Sequence, residues 1–137
     1  MYGHNYQVTF GVDIFDNCIT TDDFKKKLKQ TYPTSRPESI DLIQFNKTDF
    51  WEEIDYGMTY RGDNTAGLKL SSKKEEQLVT EQLSYKTFID QFISDKTEIY
   101  SYPDEEGIPG YAVYWKFAFF VINVDRPSLF IYGSASD

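Results

Sequence analysis

Tyr111-Ala112-Val113-Tyr114-Trp115-Lys116-Phe117-Ala118-Phe119-Phe120-Val121-Ile122-Asn123-Val124 is the stretch that decides how this 137-residue chain folds. Tyr111, Val113, Trp115, Phe117, Phe119 and Val121 share one parity and are all large and apolar. Ala112, Tyr114, Lys116, Ala118, Phe120 and Ile122 share the other, which begins small or polar and ends apolar. A strand with apolar residues on both faces is normally interior to its sheet and covered on both sides. Tyr111 to Val124 is therefore expected to be a long central strand. Lys116 and the shortness of the run exclude a membrane-spanning helix, which needs about 18 or more apolar residues in succession.

Working outward, Asp125-Arg126-Pro127 makes a turn, and Ser128 to Gly133 returns as a strand carrying Leu129, Phe130, Ile131 and Tyr132. Upstream, Glu98 to Tyr102 reads as a short strand, followed by a turn from Pro103 to Gly110 that holds the acidic run Asp104-Glu105-Glu106. Further upstream the period changes. Tyr85, Phe88, Ile89, Phe92 and Ile93 recur at helical spacing and form a core-facing stripe. Leu78, Val79 and Leu83 precede them, and Ser84 either interrupts one helix or caps a second, so 73–94 is one helix or two.

The N-terminal half supplies the remaining elements. Tyr6 to Ile14 alternates strictly, with Tyr6, Val8, Phe10, Val12 and Ile14 on one face, which predicts a half-buried strand. A helix capped by Thr20 or Thr21 follows. Asp22 and Asp23 complement its positive end, Lys25, Lys26, Lys27 and Lys29 its negative end, and Phe24, Leu28 and Tyr32 form its apolar stripe. The lysines read as dipole complements on a solvated helix rather than as a basic patch. Pro33 ends that helix and Pro37 closes the following turn. Ile40 to Phe45 is expected as a second strand, and Asp49 to Ile54 as a short helix capped by Thr48 or Asp49. Gly57 to Gly67, with three glycines beside Asp63 and Asn64, reads as the most flexible internal segment.

The order is thus β-α-β-α-α-β-β-β. It predicts one α+β domain over residues 1–137, with a mainly antiparallel sheet of about five strands packed against helices. Hydrophobic residues make 40% of the chain and charged residues 26%, both ordinary globular values.

The residue inventory excludes several chemistries. His4 is the only histidine, so a histidine triad or multi-histidine metal site has no residues to form it. Cys18 is the only cysteine and reads as a small buried hydrophobe. There is no G-x-S-x-G elbow, and Ser134 and Ser136 have no evident base. Gly62-Asp63-Asn64-Thr65-Ala66-Gly67 has the glycine spacing of a phosphate loop, but Leu68 and Lys69 stand where Lys and Ser or Thr are required. The carboxylates do not follow the EF-hand pattern. Arg61-Gly62-Asp63 and the sequon Asn46-Lys47-Thr48 are short matches without a secretory context. No enzyme activity, catalytic residue, metal or cofactor is expected. Met1-Tyr2-Gly3-His4-Asn5 shows no basic run leading into an apolar stretch, and the expected location is cytoplasmic.

Charge is the informative quantity. The formal net charge is −8, with aromatic residues at 18%. Glu38 to Asp63 holds seven acids against Lys47 and Arg61, and Asp90 to Glu106 holds six against Lys96, so each block nets −5. Aromatics accompany both: Phe50, Trp51, Tyr56 and Tyr60 in the first, Tyr100 and Tyr102 in the second. Aromatic residues are enriched at interfaces, and a field of one sign steers an oppositely charged partner. Phosphate repels such a surface, so nucleic acid is disfavoured as a partner.

The expected function is therefore that of an acidic binding protein that recognises and blocks a basic protein partner, possessing neither a membrane segment nor a nucleic-acid surface. The partner-binding candidates are Asp49, Trp51, Glu52, Glu53 and Asp55, with Asp104, Glu105 and Glu106 beside them. In size and charge the chain is similar to the immunity proteins and antitoxins that bacteria make against basic nuclease toxins, which implies a toxin as that partner. Two alternatives remain open: a nucleic-acid mimic that occupies a nuclease or restriction enzyme, and a small-ligand domain or enzyme with an aromatic pocket beside the long C-terminal strand.

Overall fold

Two of the helices begin where a local side chain can satisfy their backbone. A computed structural model describes residues 7–60, 72–112 and 115–136. Strand β1 (Gln7–Phe15) leads to helix α1 (Thr21–Thr31), in which the Thr20 hydroxyl accepts the Asp23 N–H at 3.1 Å. A single 3-10 turn, Pro37–Ser39, precedes β2 (Ile43–Phe45). Helices α2 (Lys47–Thr59) and α3 (Ser72–Asp90) follow, then β3 (Glu98–Ser101), β4 (Trp115–Ile122) and β5 (Ser128–Ser136).

These strands form one sheet in the order β1-β5-β4-β3-β2, with every neighbouring pair antiparallel. The α+β reading and its element order hold, and the expected central strand is the middle one. Helices cover both faces. Phe50, Ile54 and Met58 of α2 and Ile89 of α3 join Trp115, Phe117, Phe119 and Val121 of β4 and Leu129 and Ile131 of β5 in one core. On the opposite face, Phe24 and Leu28 of α1 meet Phe120, Ile122, Phe130 and Tyr102. The Phe24 and Phe120 rings stack with centroids 4.0 Å apart.

Register explains the ring packing. Gly133 of β5 lies opposite both Phe10 of β1 and Phe117 of β4. Those two rings approach to 6.2 Å over it, and a β-carbon added at Gly133 would stand 2.6 Å from the Phe117 ring. Glycine here lets two aromatic side chains from nonadjacent strands close over a third.

A polar node ties the far end together. Asn123 is buried; its side chain donates to the carbonyls of Phe92 (2.7 Å) and Pro127 (2.9 Å) and accepts from the Thr97 hydroxyl (2.6 Å). The Ser128 hydroxyl accepts the Asn123 N–H and donates to the Cys18 carbonyl at 2.8 Å. The α3 exit, the β4–β5 turn and the β1–α1 connection are thereby joined.

Several boundaries differ from the sequence reading. The central strand begins at Trp115 rather than Tyr111: Tyr111 and Ala112 lie outside any strand, and Tyr111 is 73% exposed. Its neighbour β3 stops at Ser101, two residues before Pro103, which has no N–H to continue a ladder. The chain then turns away through Gly107 and Gly110, both at positive φ. Strand β2 keeps only three residues of the expected Ile40 to Phe45, because the Pro37–Ser39 turn occupies the approach. Helix α2 is longer than expected and is capped by Asn46, whose Oδ1 accepts the Asp49 N–H at 2.7 Å, so Thr48 and Asp49 lie inside it. The interval 72–90 is one helix, with Ser84 inside it. Ser134 and Ser136 belong to β5 and are buried. Tyr6, His4 and the segment from Arg61 to Gly67 lie outside the described residues.

Phe119 is 1% exposed and Phe117 6%. Phe117→Ala or Phe119→Ala should each cost about 3–5 kcal/mol, a large part of a domain's usual stability. Guanidinium denaturation checks this: the midpoint should fall in both variants with little change of slope, and an unchanged midpoint would make β4 peripheral.

Candidate functional site

Helix α2 carries the first acidic block, and its capping determines which carboxylates are available. Asp49 is engaged at the helix start, where the Asn46 side chain reaches its Oδ2 at 3.1 Å. This also occupies the asparagine of the sequon. Asp55 accepts from Lys86 of α3 at 2.5 Å, and the same ammonium stands 5.7 Å from the centre of the Trp51 ring. Trp51 is half-buried against the core with its ring edge-on to Phe50. Trp51 and Asp55 thus join α2 to α3. Glu52 and Glu53 point outward, and neither has a cationic partner among the described residues. Tyr56, 59% exposed, stands one turn further along.

The second block lies in the loop that leaves β3. Glu106 pairs with Arg36, and its N–H donates to Asp104 Oδ1 at 3.1 Å. Glu105 stands 3.8 Å from Lys116, whose Nζ also donates to the Pro103 carbonyl at 3.2 Å.

The two blocks, about fifty residues apart in sequence, meet at one cavity of about 200 Å³. Glu53 from α2 and Asp104 and Glu105 from the loop stand on its wall, with Lys116 beside them. Tyr102, Phe117, Phe119 and Tyr132 supply aromatic surface, and Gly110 and Ser134 line the same space. The cavity exists because β3 ends at Ser101 opposite Phe119, leaving the start of β4 without a strand on that side. On its outer flank Asp49, Glu52, Glu53, Phe45 and Tyr56 line a shallower groove, so Glu53 is common to both depressions. Of the eight candidate residues, Glu53, Asp104 and Glu105 are brought to the cavity and Asp49 and Glu52 to the groove. Trp51, Asp55 and Glu106 are spent on contacts within the fold.

One buried tyrosine, Tyr102, borders this region. Burial, then the negative charges of Asp104 and Glu38, push the Tyr102 phenol up to about 12, with Arg36 opposing them. Tyr32, which donates to Asp13, and Tyr85, which donates to the Gly11 carbonyl at 3.2 Å, are raised further, in both cases chiefly by burial. The sequence reading named Tyr102 only as an aromatic beside the second acidic block and Ser134 only as a serine without an evident base. Ser134 lies within β5 and Tyr102 directly after β3, and both are buried, but nothing local shows that each hydroxyl lacks a hydrogen-bond partner among the described residues.

Other candidates have structural roles. Lys25 and Lys29 donate to the carbonyls of Ile40 (3.0 Å) and Ser35 (2.6 Å), fastening α1 to the turn after it. The Cys18 thiol is buried, and that burial, with Asp23 nearby, raises its pKa and disfavours the reactive thiolate. Among the described residues there is no cluster of three or more His, Cys, Asp or Glu that could hold a metal ion. None of the described helices is long and apolar enough to cross a membrane.

No family model matches the chain, and no curated protein matches it. Among solved structures it is similar to the crystal structure of citrus MAF1, with a TM-score of 0.55 and 15% identity, covering 95% of this chain and 87% of that one. At that identity the likeness concerns the fold, and it agrees with an antiparallel sheet packed against helices.

Because the raised phenol favours the neutral form in the folded state, its contribution to stability is full below about pH 10, the ordinary tyrosine value, and is lost as the pH climbs through about 12. Tyr102→Phe should therefore leave stability at pH 7 within about 1 kcal/mol, since the removed hydroxyl has no partner. It should also flatten the decline between pH 10 and pH 12. Urea midpoints measured across that range check both; a large loss at pH 7 would show that the hydroxyl is held.

Proposed function

We propose that this domain binds a basic protein partner through the acidic, aromatic face made by α2 and the loop after β3, and blocks that partner without catalysing a reaction. The observation that carries this reading is the convergence of Glu53 with Asp104 and Glu105 on one cavity, beside the outward-facing Glu52. Two regions that are acidic by composition become one acidic surface by folding. Exposed Tyr56 and half-buried Phe45 sit within it and supply the apolar contact that interfaces use.

The pairing of Asp55 with Lys86 and of Glu106 with Arg36 speaks against nucleic-acid mimicry. A mimic must present regular, unneutralised charge, as duplex DNA does at one charge per ~1.7 Å. The aromatic cavity beside β4 answers the small-ligand reading in part. At about 200 Å³ it falls below the ~300–1,000 Å³ usual for ligand sites and suits a single side chain better. Blocking a toxin in the manner of an immunity protein or antitoxin is the most specific form of the proposal.

Affinity capture at low salt from the native lysate identifies the partner. Surface plasmon resonance of that partner at two ionic strengths then compares the natural chain with a Glu52→Lys, Glu53→Lys double variant. The variant should associate about tenfold more slowly at low salt, with a shallower salt dependence. Its stability should change by no more than about 0.5 kcal/mol, because both side chains are exposed. An unchanged association rate would move the interface off this face.

A further inference from the structure

We infer that the outer edge of β1 is a homodimer interface: β1 of a second copy pairs with it antiparallel across a two-fold axis at Gly11, and the two five-stranded sheets become one. Strand β1 ends the sheet, and among the described residues no strand lies on its far side. At the other end β2 is only three residues long and offers little ladder. The nine residues of β1, by contrast, carry a row of outward-facing N–H and C=O groups. The Tyr85 hydroxyl reaches the Gly11 carbonyl, but a carbonyl has two lone pairs and keeps one for a strand.

Edge strands that stay single carry devices against pairing, such as proline, lysine, a bulge or shortness. Gln7-Val8-Thr9-Phe10-Gly11-Val12-Asp13-Ile14-Phe15 has none of them. Its pairing with β5 runs unbroken from Gln7 opposite Ser136 to Phe15 opposite Ser128, so the strand has no bulge. Its one charged residue, Asp13, receives the Tyr32 hydroxyl.

The symmetry of the strand about Gly11 identifies the occupant as a second copy. Val8 stands three residues before Gly11 and Ile14 three after, and they are 42% and 50% exposed. In an antiparallel pair centred on Gly11, Val8 faces Ile14 of the second copy, Phe10 faces Val12, and Asp13 faces Thr9. Directly opposite residues share a face with β-carbons about 4.5–5.5 Å apart, so the exposed Val8 and Ile14 of each copy cover one another. Thr9 opposite Asp13 also keeps the two Asp13 carboxylates apart, whereas a pair centred on Asp13 would set like charges face to face.

The helical layer continues the same surface. Gln82 and Lys86 of α3 reach the Met58 carbonyl and Asp55 of α2, while Tyr85 meets the Phe10 ring and Ile89 is buried in the core. At about 100° per residue, Phe88 falls on the flank opposite Lys86, turned away from α2 and toward the β1 edge. Its ring is 39% exposed, with its centroid 5.2 Å from that of Phe92. The two-fold axis sets the two Phe88 flanks facing each other on one side of the joined sheet. Glu52 and Glu53 lie on α2, which packs on β4 rather than β1, so this inference is independent of the function proposed above.

Sedimentation equilibrium of the full chain, from low to high micromolar concentration, tests it. A monomer–dimer equilibrium is expected, and because each copy carries a net charge of −8, added salt should shift it severalfold toward dimer, the opposite of its effect on a basic partner. Ile14→Lys should weaken the dimer about tenfold or more with the circular dichroism spectrum unchanged. Register is read in a Cys18→Ser background: Val8→Cys chains mixed with Ile14→Cys chains should form a disulfide-linked pair, with oxidised glutathione accepting the two electrons, since opposite residues lie within disulfide reach. Val8→Cys chains alone should not, because their thiols would stand six positions apart, roughly 20 Å. A chain monomeric at every concentration and salt overturns the inference, as does a dimer that Ile14→Lys leaves intact or one in which like chains link as readily as the mixed pair. Should a variant lose its fold, amide hydrogen exchange of the natural chain decides: exchange within β1 should slow severalfold as concentration rises, and unchanged exchange there overturns the inference.

Discussion

Burial of β4 on both faces is the constraint on which the rest of this structure depends. Phe117, Phe119 and Val121 need an apolar layer on one side, and Phe120 and Ile122 need one on the other. A sheet with a single helical layer would leave one set in water, at roughly 1.5–3 kcal/mol for each large side chain exposed. Helices on both sides therefore follow from one strand. Helix α1 takes one face and α2 with α3 the other, and β5, apolar on both faces as well, accompanies β4 in the interior.

The same constraint creates the cavity. Strand β4 needs a neighbour on each edge, yet β3 supplies one only from Glu98 to Ser101, opposite Ile122 to Phe119. Beyond that point the chain leaves the sheet and closes over Lys116 to Ala118 as a loop. A loop that carries Pro103 and Pro109 and bends at the positive-φ glycines Gly107 and Gly110 cannot fill the gap as a strand would. A space remains, lined by rings from the sheet and by carboxylates from α2 and the loop itself. The hydroxyls of Tyr102 and Ser134 are buried beside it without hydrogen-bond partners among the described residues, in contrast to the Asn123 node, where donors and acceptors are matched.

Charge is distributed with similar discrimination. Some acids complete the fold: Asp55 holds α2 to α3 through Lys86, Glu106 meets Arg36, and Asp13 receives the Tyr32 hydroxyl. Exposed pairs of this kind contribute about 0–1 kcal/mol each, so they orient elements more than they stabilise them. Of the acids outside such pairs, some, such as Asp16, Asp41 and Glu81, lie elsewhere on the surface, but one group gathers. Glu52 and Glu53 on α2 and Asp104 on the loop, with Glu105 beside Lys116, border one face, and that face coincides with the incomplete edge of the sheet.

The element order, the antiparallel sheet and the central place of β4 were legible in the sequence, because alternation and helical period are local quantities that report directly on which side chains must be buried. Thr20 at the start of α1 and the stripe through Ile89 were legible for the same reason. The boundary of β4 was not: Tyr111 and Ala112 continue the alternation, yet β4 pairs with β5 only as far as Trp115 opposite Ala135, and alternation does not report where pairing stops. The capping of α2 by Asn46 competed with two equally suitable residues next to it, and backbone direction chose. The acidic composition was plain, but which carboxylates stay available was decided in three dimensions, by whether Lys86, Arg36 or Asn46 happened to lie within reach. Nothing in the order of residues brings Glu53 beside Asp104, or leaves Tyr102 and Ser134 without partners. Those facts arise only when a helix, a loop and two strands close on the same unfilled edge.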